Sequence, residues 1–155
     1  MIVDHRTLFF YDASCLIAAA GSPTGGSGLL LSLCVRRLLR GAVSQAVLLE
    51  AEGNIQSKLR PHAMSTYHDL LQTAHLSMAP IPPVPPTSVW LQEVNAKDVH
   101  VVAATLAAKA PYVLTLDRKL VTEINRTALP IEALTPADFI RGVLPRHVYY
   151  PSLRS

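Results

Sequence analysis

Only two cysteines, Cys15 and Cys34, occur in the 155 residues, both among apolar neighbours. That excludes a disulfide framework and reads as a pair of buried, reduced thiols. No apolar run is long enough to span a bilayer, and the start of the chain carries no charged-then-apolar signal segment. A cytoplasmic protein with no membrane partner is therefore expected. His62, His68 and His75 are six and seven residues apart, not at the spacing of paired helical zinc ligands, and read as surface or satisfied side chains. The run Ser22-Pro23-Thr24-Gly25-Gly26-Ser27-Gly28 lacks the lysine of a phosphate-binding loop and follows a helical stretch, not a strand. It reads as a flexible turn before a helix over residues 29–40, with contact to substrate left open. Neither an internal repeat nor a second domain is discernible.

What is present suits one domain with a sizeable core: 50% hydrophobic residues and a mean hydropathy of +0.28. A net charge of +3 and a pI near 9.1 hint at a polyanionic partner. The distribution says more than the sum. Arg36, Arg37 and Arg40 cluster at a helix end, where a solvated basic face and complementarity to the helix dipole account for them. Arg118 and Lys119, adjoining Asp117, are the better candidates for substrate contact. Pro80-Ile81-Pro82-Pro83-Val84-Pro85-Pro86 is too rich in proline for a helix or a central strand and reads as an extended crossover carrying a short edge segment.

The chemistry-bearing pattern is a set of acids at element junctions. Leu8-Phe9-Phe10-Tyr11 is a short apolar run ending in Asp12, after which residues 13–20 read as helix. Tyr112-Val113-Leu114-Thr115-Leu116 likewise runs into Asp117. In open α/β sheets ligands bind beyond the carboxyl ends of the strands, where both acids fall. Asp98 opens a stretch in which Val99, Val102, Ala103, Leu106 and Ala110 share one helical face. Glu50 lies in a helix beside the apolar positions Val47, Leu48 and Ala51, and whether it or Glu52 points inward is open. Each acid also has an ordinary reading: Asp12 and Asp98 as helix N-caps, Asp117 as a turn residue, Glu50 as a solvated helix position.

Taken in order, Phe10 to Leu16, Ser44 to Glu50, Lys97 to Ala104 and Leu114 to Arg118 resemble the motif set of PIN-domain nucleases. More narrowly, the chain resembles the VapC-type ribonucleases, toxin components of prokaryotic toxin–antitoxin systems. The resemblance runs from about residue 8 to about residue 140 and includes a closing Leu134-Thr135-Pro136-Ala137-Asp138-Phe139. It implies an α/β protein with a three-layer α/β/α sandwich around a central, mostly parallel sheet. Residues 1–143 would form the domain and residues 144–155 a basic, aromatic tail that stacks RNA bases, packs on a neighbouring subunit or lies across its own domain. Asp12, Glu50, Asp98 and Asp117 fall on the four family acids, as catalytic groups and ligands of Mg²⁺ or Mn²⁺. Ser14 and Thr115 match polar positions flanking the site and, with Arg118 and Lys119, would meet substrate. RNA, a small antitoxin protein and a second copy of the chain are the implied partners. Some family members carry a further acid shortly after the fourth; here Arg118, Lys119, Leu120, Val121 and Thr122 intervene before Glu123.

Independently of the resemblance, carboxylates sharing a cleft repel unless a cation compensates, and Mg²⁺ or Mn²⁺ accepts one or two of them plus waters and phosphate oxygens. Such a site fits phosphodiester hydrolysis. A non-catalytic RNA- or antitoxin-binding module is the second reading. An aspartyl-phosphate receiver or phosphatase ranks last, because Asp12-Ala13-Ser14 lacks the paired acids that chemistry needs.

Overall fold

The computed structural model describes residues 2–153, and in it the run ending at Tyr11 becomes β1 (Leu8–Tyr11), the centre of the sheet. Phe9, Phe10 and Tyr11 point alternately to opposite faces, yet all three are fully buried. That is the signature of a parallel strand with helices on both sides. β2 (Arg40–Val43) and β3 (Ser77–Met78) extend the sheet one way, β4 (Tyr112–Leu114) and β5 (Glu132–Leu134) the other. The order is β3-β2-β1-β4-β5 and every ladder is parallel. The strand order reverses direction at the β1/β4 boundary, which is where a parallel sheet opens a crevice at its carboxyl edge.

Helices α1 (Ala13–Gly21) and α2 (Gly26–Val35) cross from β1 to β2, and α3 (Gln45–Lys58) and α4 (His62–Ala74) from β2 to β3. These four pack on one another. Helix α5 (Val99–Ala107) leads into β4 and α6 (Arg118–Arg126) into β5. Right-handed crossovers in the opposite direction put this pair on the other face, completing the α/β/α layers. Finally, α7 (Pro136–Gly142) returns to pack on α2. Phe139 closes the core from there, stacking edge-on against Phe9 and Tyr112 with centroids 5.9 and 5.4 Å away. The Tyr11 hydroxyl donates to the Ser27 carbonyl at 2.8 Å, tying β1 to α2.

One expected boundary moves. The helix expected over residues 29–40 ends at Val35, and Arg40 instead opens β2. Arg37 adopts a left-handed φ of 62°, and the Leu38 N–H donates to Leu33 O, the closure of a helix C-terminus. Helix α4 ends the same way at Ala74: His75 turns left-handed at φ 51° and β3 follows. Both missed strands are short, and Arg-Gly-Ala-Val has no alternating pattern to betray it. Its Gly41 is needed for packing: a Cβ there would stand 2.7 Å from Leu76 Cδ2.

The chain's last segment lies across its own domain. Val3 bridges to His147, Val148 N–H donates to Val3 O, and buried His147 places Nε2 2.7 Å from Leu38 O. Leu153, in the final helix α8 (Tyr150–Leu153), is buried, while Arg154 of the tail lies outside the described residues. Among the described residues no single helix is long and apolar enough to cross a membrane; α1 and α2 together are apolar enough, but they meet at 93° and most of their residues are buried.

Candidate active site

Each strand but β3 ends on its carboxyl side in a polar residue that caps the next helix. Asp12 caps α1 through the Ala13 N–H, Ser44 caps α3 through Val47, Asp117 caps α6 through Lys119 and Leu120, and Thr135 caps α7 through Asp138. These caps start the helices, and they also line up hydroxyls and carboxylates along one edge of the sheet.

The densest part lies at the β1/β4 crevice. Asp12 is 8% exposed; its Oδ1 accepts from Ala13 N–H at 2.8 Å and its Oδ2 from the Thr115 hydroxyl at 2.8 Å. Thr115 is fully buried, and its Oγ1 in turn accepts the Asp117 N–H at 3.1 Å. Ser14 Oγ accepts the Leu116 N–H at 3.0 Å, and its own proton faces Asp12 Oδ2 at 3.5 Å and Thr115 Oγ1 at 3.4 Å. Two hydroxyls thus lock the loop after β4 to the carboxylate after β1. Asp117 spends only Oδ1 on its cap, at 3.0 Å to Lys119 N and 3.2 Å to Leu120 N.

Asp98 behaves differently from its neighbours. It stands at the N-cap of α5 but accepts no capping hydrogen bond, so the ordinary reading of this acid fails. Its carboxyl is held above the usual range, chiefly because it is partly buried. Lys97 pulls the other way, while the negative charges of Asp12, Asp117 and Glu123 push it further up. The structure therefore brings Asp98, Asp12 and Asp117 into one electrostatic neighbourhood and adds Glu123. Glu123 reaches it from α6 and is held by the Asn95 N–H at 3.2 Å. The sequence signal for Glu123 is its place on α6 beside buried Leu120 and Ile124, nearly two turns beyond the capping acid. Lys97, which opens the stretch Lys97 to Ala104 without a role expected from the sequence, is the cation acting on Asp98.

Glu50 is not among the charges that act on Asp98; it is exposed on α3. Glu52 turns toward α4, where it lines a cavity of about 460 Å³ with Ile55, Leu59 and Met64 and raises the Tyr67 hydroxyl's pKa together with burial. Arg118 and Lys119 are exposed on the first turn of α6, and Arg118 acts on Asp138 of α7. His62, His68 and His75 are exposed, and both cysteines are buried and free.

As a place for a hard cation the edge offers the right donors, oxygen atoms of Asp12, Asp98 and Asp117. Among the described residues no group of three or more His, Cys, Asp or Glu side chains is placed to hold a metal ion. The uncapped Asp98 carboxylate, disfavoured in its charged form by burial and then by its acidic neighbours, is the group a cation would relieve.

Neither a protein-family model nor a curated protein matches the sequence. Solved structures do match in shape. VapBC2 from Rickettsia felis, bound to a DNA fragment from its promoter, superposes with a TM-score of 0.57 at 14% identity, over 83% of this chain and 98% of that one. PAE2754 from Pyrobaculum aerophilum gives 0.57 at 16% identity, over 87% and 88%. VapBC-1 from nontypeable Haemophilus influenzae gives 0.50 at 12% identity, over 84% and 99%. At such identities the likeness establishes the fold, and the chain is a PIN-like three-layer α/β/α sandwich.

Proposed function

We propose that this protein is a Mg²⁺- or Mn²⁺-dependent endoribonuclease, a VapC-like toxin of the PIN-domain family that acts in the cytoplasm and is held in check by a small antitoxin. The observation that carries the reading is Asp98, a carboxylate at a helix N-terminus that caps nothing and sits among the charges of Asp12, Asp117 and Glu123. The sheet's switch point, where they gather, is the usual ligand edge of this fold class. The fold shared with two VapBC structures supports the toxin assignment and the antitoxin partner; a homodimer is part of the same proposal.

In this reading Asp12, Asp98 and Asp117 hold the cation, directly or through water, with Glu50 completing the edge from α3 in the complex with RNA. When bound, the metal supplies an acidified water and charge neutralisation at the scissile phosphate. Thr115 and Ser14 hold the Asp12 carboxylate in place through their hydroxyls. Lys97, Arg118 and Lys119 receive the phosphates on either side. Asp117 orients one oxygen through its cap and leaves the other for the ion or its water.

The test is cleavage of structured and single-stranded RNA in Mn²⁺, Mg²⁺ or EDTA, beside Asp98→Asn. Cleavage that needs both the metal and Asp98 is expected. The second reading, a non-catalytic RNA- or antitoxin-binding module, draws on the exposure of Glu50 and the open arrangement of the acids. Metal-independent RNA binding by clean protein without turnover would select it.

A further inference from the structure

The opposite edge of the sheet, where the strands begin, carries a row of cations that the acidic edge does not use. Arg40 is the first residue of β2 and pairs in register with Leu8 of β1, which Arg6 precedes by two residues. Lys109 enters β4, and His75 enters β3. Following the strand order, the sequence along the edge is His75, Arg40, Arg6, Lys109, at the strand spacing of about 4.8 Å and hence about 15 Å in all. Arg37 and His5 flank Arg40. The surface between them is concave. A groove of about 490 Å³ is shared by Arg6, Arg40 and Lys109, and a second of about 310 Å³ is shared by Arg40, Arg37, His5 and His75.

Compensation of helix dipoles explains part of this. Arg37, His75 and Lys109 end α2, α4 and α5, where positive charge is favoured. All three do so with a left-handed φ of 62°, 51° and 57°, a conformation that glycine adopts without cost. Arg40 opens β2 and Arg6 precedes β1, so neither belongs to the last turn of a helix, and capping a helix end does not account for them. Two carboxylates lie on the edge. Asp4 is paired with Arg6 at 3.7 Å, and Glu132 opens the far strand β5. Among the described residues Arg37, Arg40 and Lys109 have no acidic partner.

We infer that this amino-terminal edge of the sheet is a second nucleic-acid contact that holds the phosphate backbone of an RNA strand, about one strand length from the acidic edge. A linear row of basic side chains, in which Arg40 and Lys109 have no acidic partner among the described residues, matches a chain of phosphates better than a single compact anion, since a nucleic-acid strand carries one charge per about 3.4 Å of axis. The two grooves have no Phe, Tyr or Trp among their lining residues, so they grip backbone without reading bases. The choice of RNA rests on the nuclease reading; the cationic row itself does not.

The experiment measures anisotropy of a labelled single-stranded RNA of about 20 nucleotides in EDTA, where binding is read without cleavage. The wild type is compared with the triple variant Arg37→Gln, Arg40→Gln, Lys109→Gln. Loss of three phosphate contacts should lower affinity by about tenfold or more at low salt and flatten the slope of log K against log salt by about 2. If the triple variant is poorly folded, the single Arg40→Gln, exposed at the start of β2, should flatten it by about 0.7, and Arg40→Lys should restore it. Unchanged affinity and slope in a folded variant would overturn the inference, and duplex DNA outcompeting RNA phosphate for phosphate would overturn the RNA assignment. Loss of binding in the triple variant, with no cleavage by the wild type in Mn²⁺, would uphold the second contact and defeat the nuclease reading instead.

Discussion

Replacing Thr115 by valine keeps its shape and removes one oxygen, and the structure says what that oxygen does. It donates to Asp12 Oδ2 at 2.8 Å and accepts the Asp117 N–H at 3.1 Å from a fully buried position. A hydrogen bond to a charged group contributes roughly 1.5–3 kcal/mol, and a partly buried N–H left without an acceptor costs about 1 kcal/mol more. Thr115→Val should therefore destabilise by about 2.5–4 kcal/mol, which in a domain of this size lowers the melting temperature by about 5–15 °C. Urea unfolding should show a lower midpoint at constant slope. Thr115→Ser, which keeps the hydroxyl, should recover most of the loss. In an Asp12→Asn background the valine substitution should cost less, because the charged acceptor is gone. A Thr115→Val protein within about 0.5 kcal/mol of wild type would refute the argument that Thr115 holds the two acidic loops together.

Other consequences can be checked with the same purified protein. The Asp98 carboxyl has a raised pKa in the fold, so the folded state binds its proton more tightly than the unfolded chain does. The penalty is absent below the unfolded pKa and complete above the folded one; stability should decline with rising pH across that acidic window, and Asp98→Asn should abolish the decline, as unfolding at several pH values would report. Mn²⁺ at a hundredfold excess over its Kd should stabilise the wild type by about 2.7 kcal/mol and Asp98→Asn by far less in a thermal-shift titration. Gly28→Ala should cost about 2–3 kcal/mol, since its Cβ would lie 2.0 Å from Pro23 O, against backbone that cannot rotate away. Gly53→Ala, with nothing within 4 Å of the new carbon and a place inside α3, should stabilise by about 0.5–1 kcal/mol in the same unfolding assay. Burial pushes the Cys34 thiol up to about 12, so at pH 8 neither cysteine should react with a disulfide reagent until the protein unfolds.

What could be read in the sequence was whatever repeats a physical rule over several residues. The run Leu8-Phe9-Phe10-Tyr11 and its partner before Asp117 announced the two central strands because both are buried on two faces and carry no polar interruption. The helix after Asp98 was legible from its apolar spacing. β2 and β3 were hidden because an edge or near-edge strand of two to four residues holding Arg, Gly, Ser and Met leaves no periodic trace. The packing of α6 against the segment before α5, which brings Glu123 to Asn95 and Asp98, is a long-range property with no local signal. For Glu50 the helix was readable, but the side of α3 it occupies was not, since Leu48 is half-buried and Leu49 exposed on either side of the apolar stripe.

The acids also differ in how much of each one the fold itself consumes, and that ranks them as candidates. Asp12 gives one oxygen to a cap and the other to Thr115, so removing it should damage structure and site together. Asp117 gives one oxygen to its cap and keeps one, an intermediate case. Asp98 gives neither oxygen to a cap, and it is held where neighbouring charge works against it. A carboxylate that makes no capping bond to its own helix and is disfavoured by its surroundings is a candidate functional group. Asp98→Asn is therefore the cleanest single substitution for separating chemistry from folding. A loss of metal-dependent cleavage there, in a protein as stable as wild type or more so, has no structural explanation to compete with.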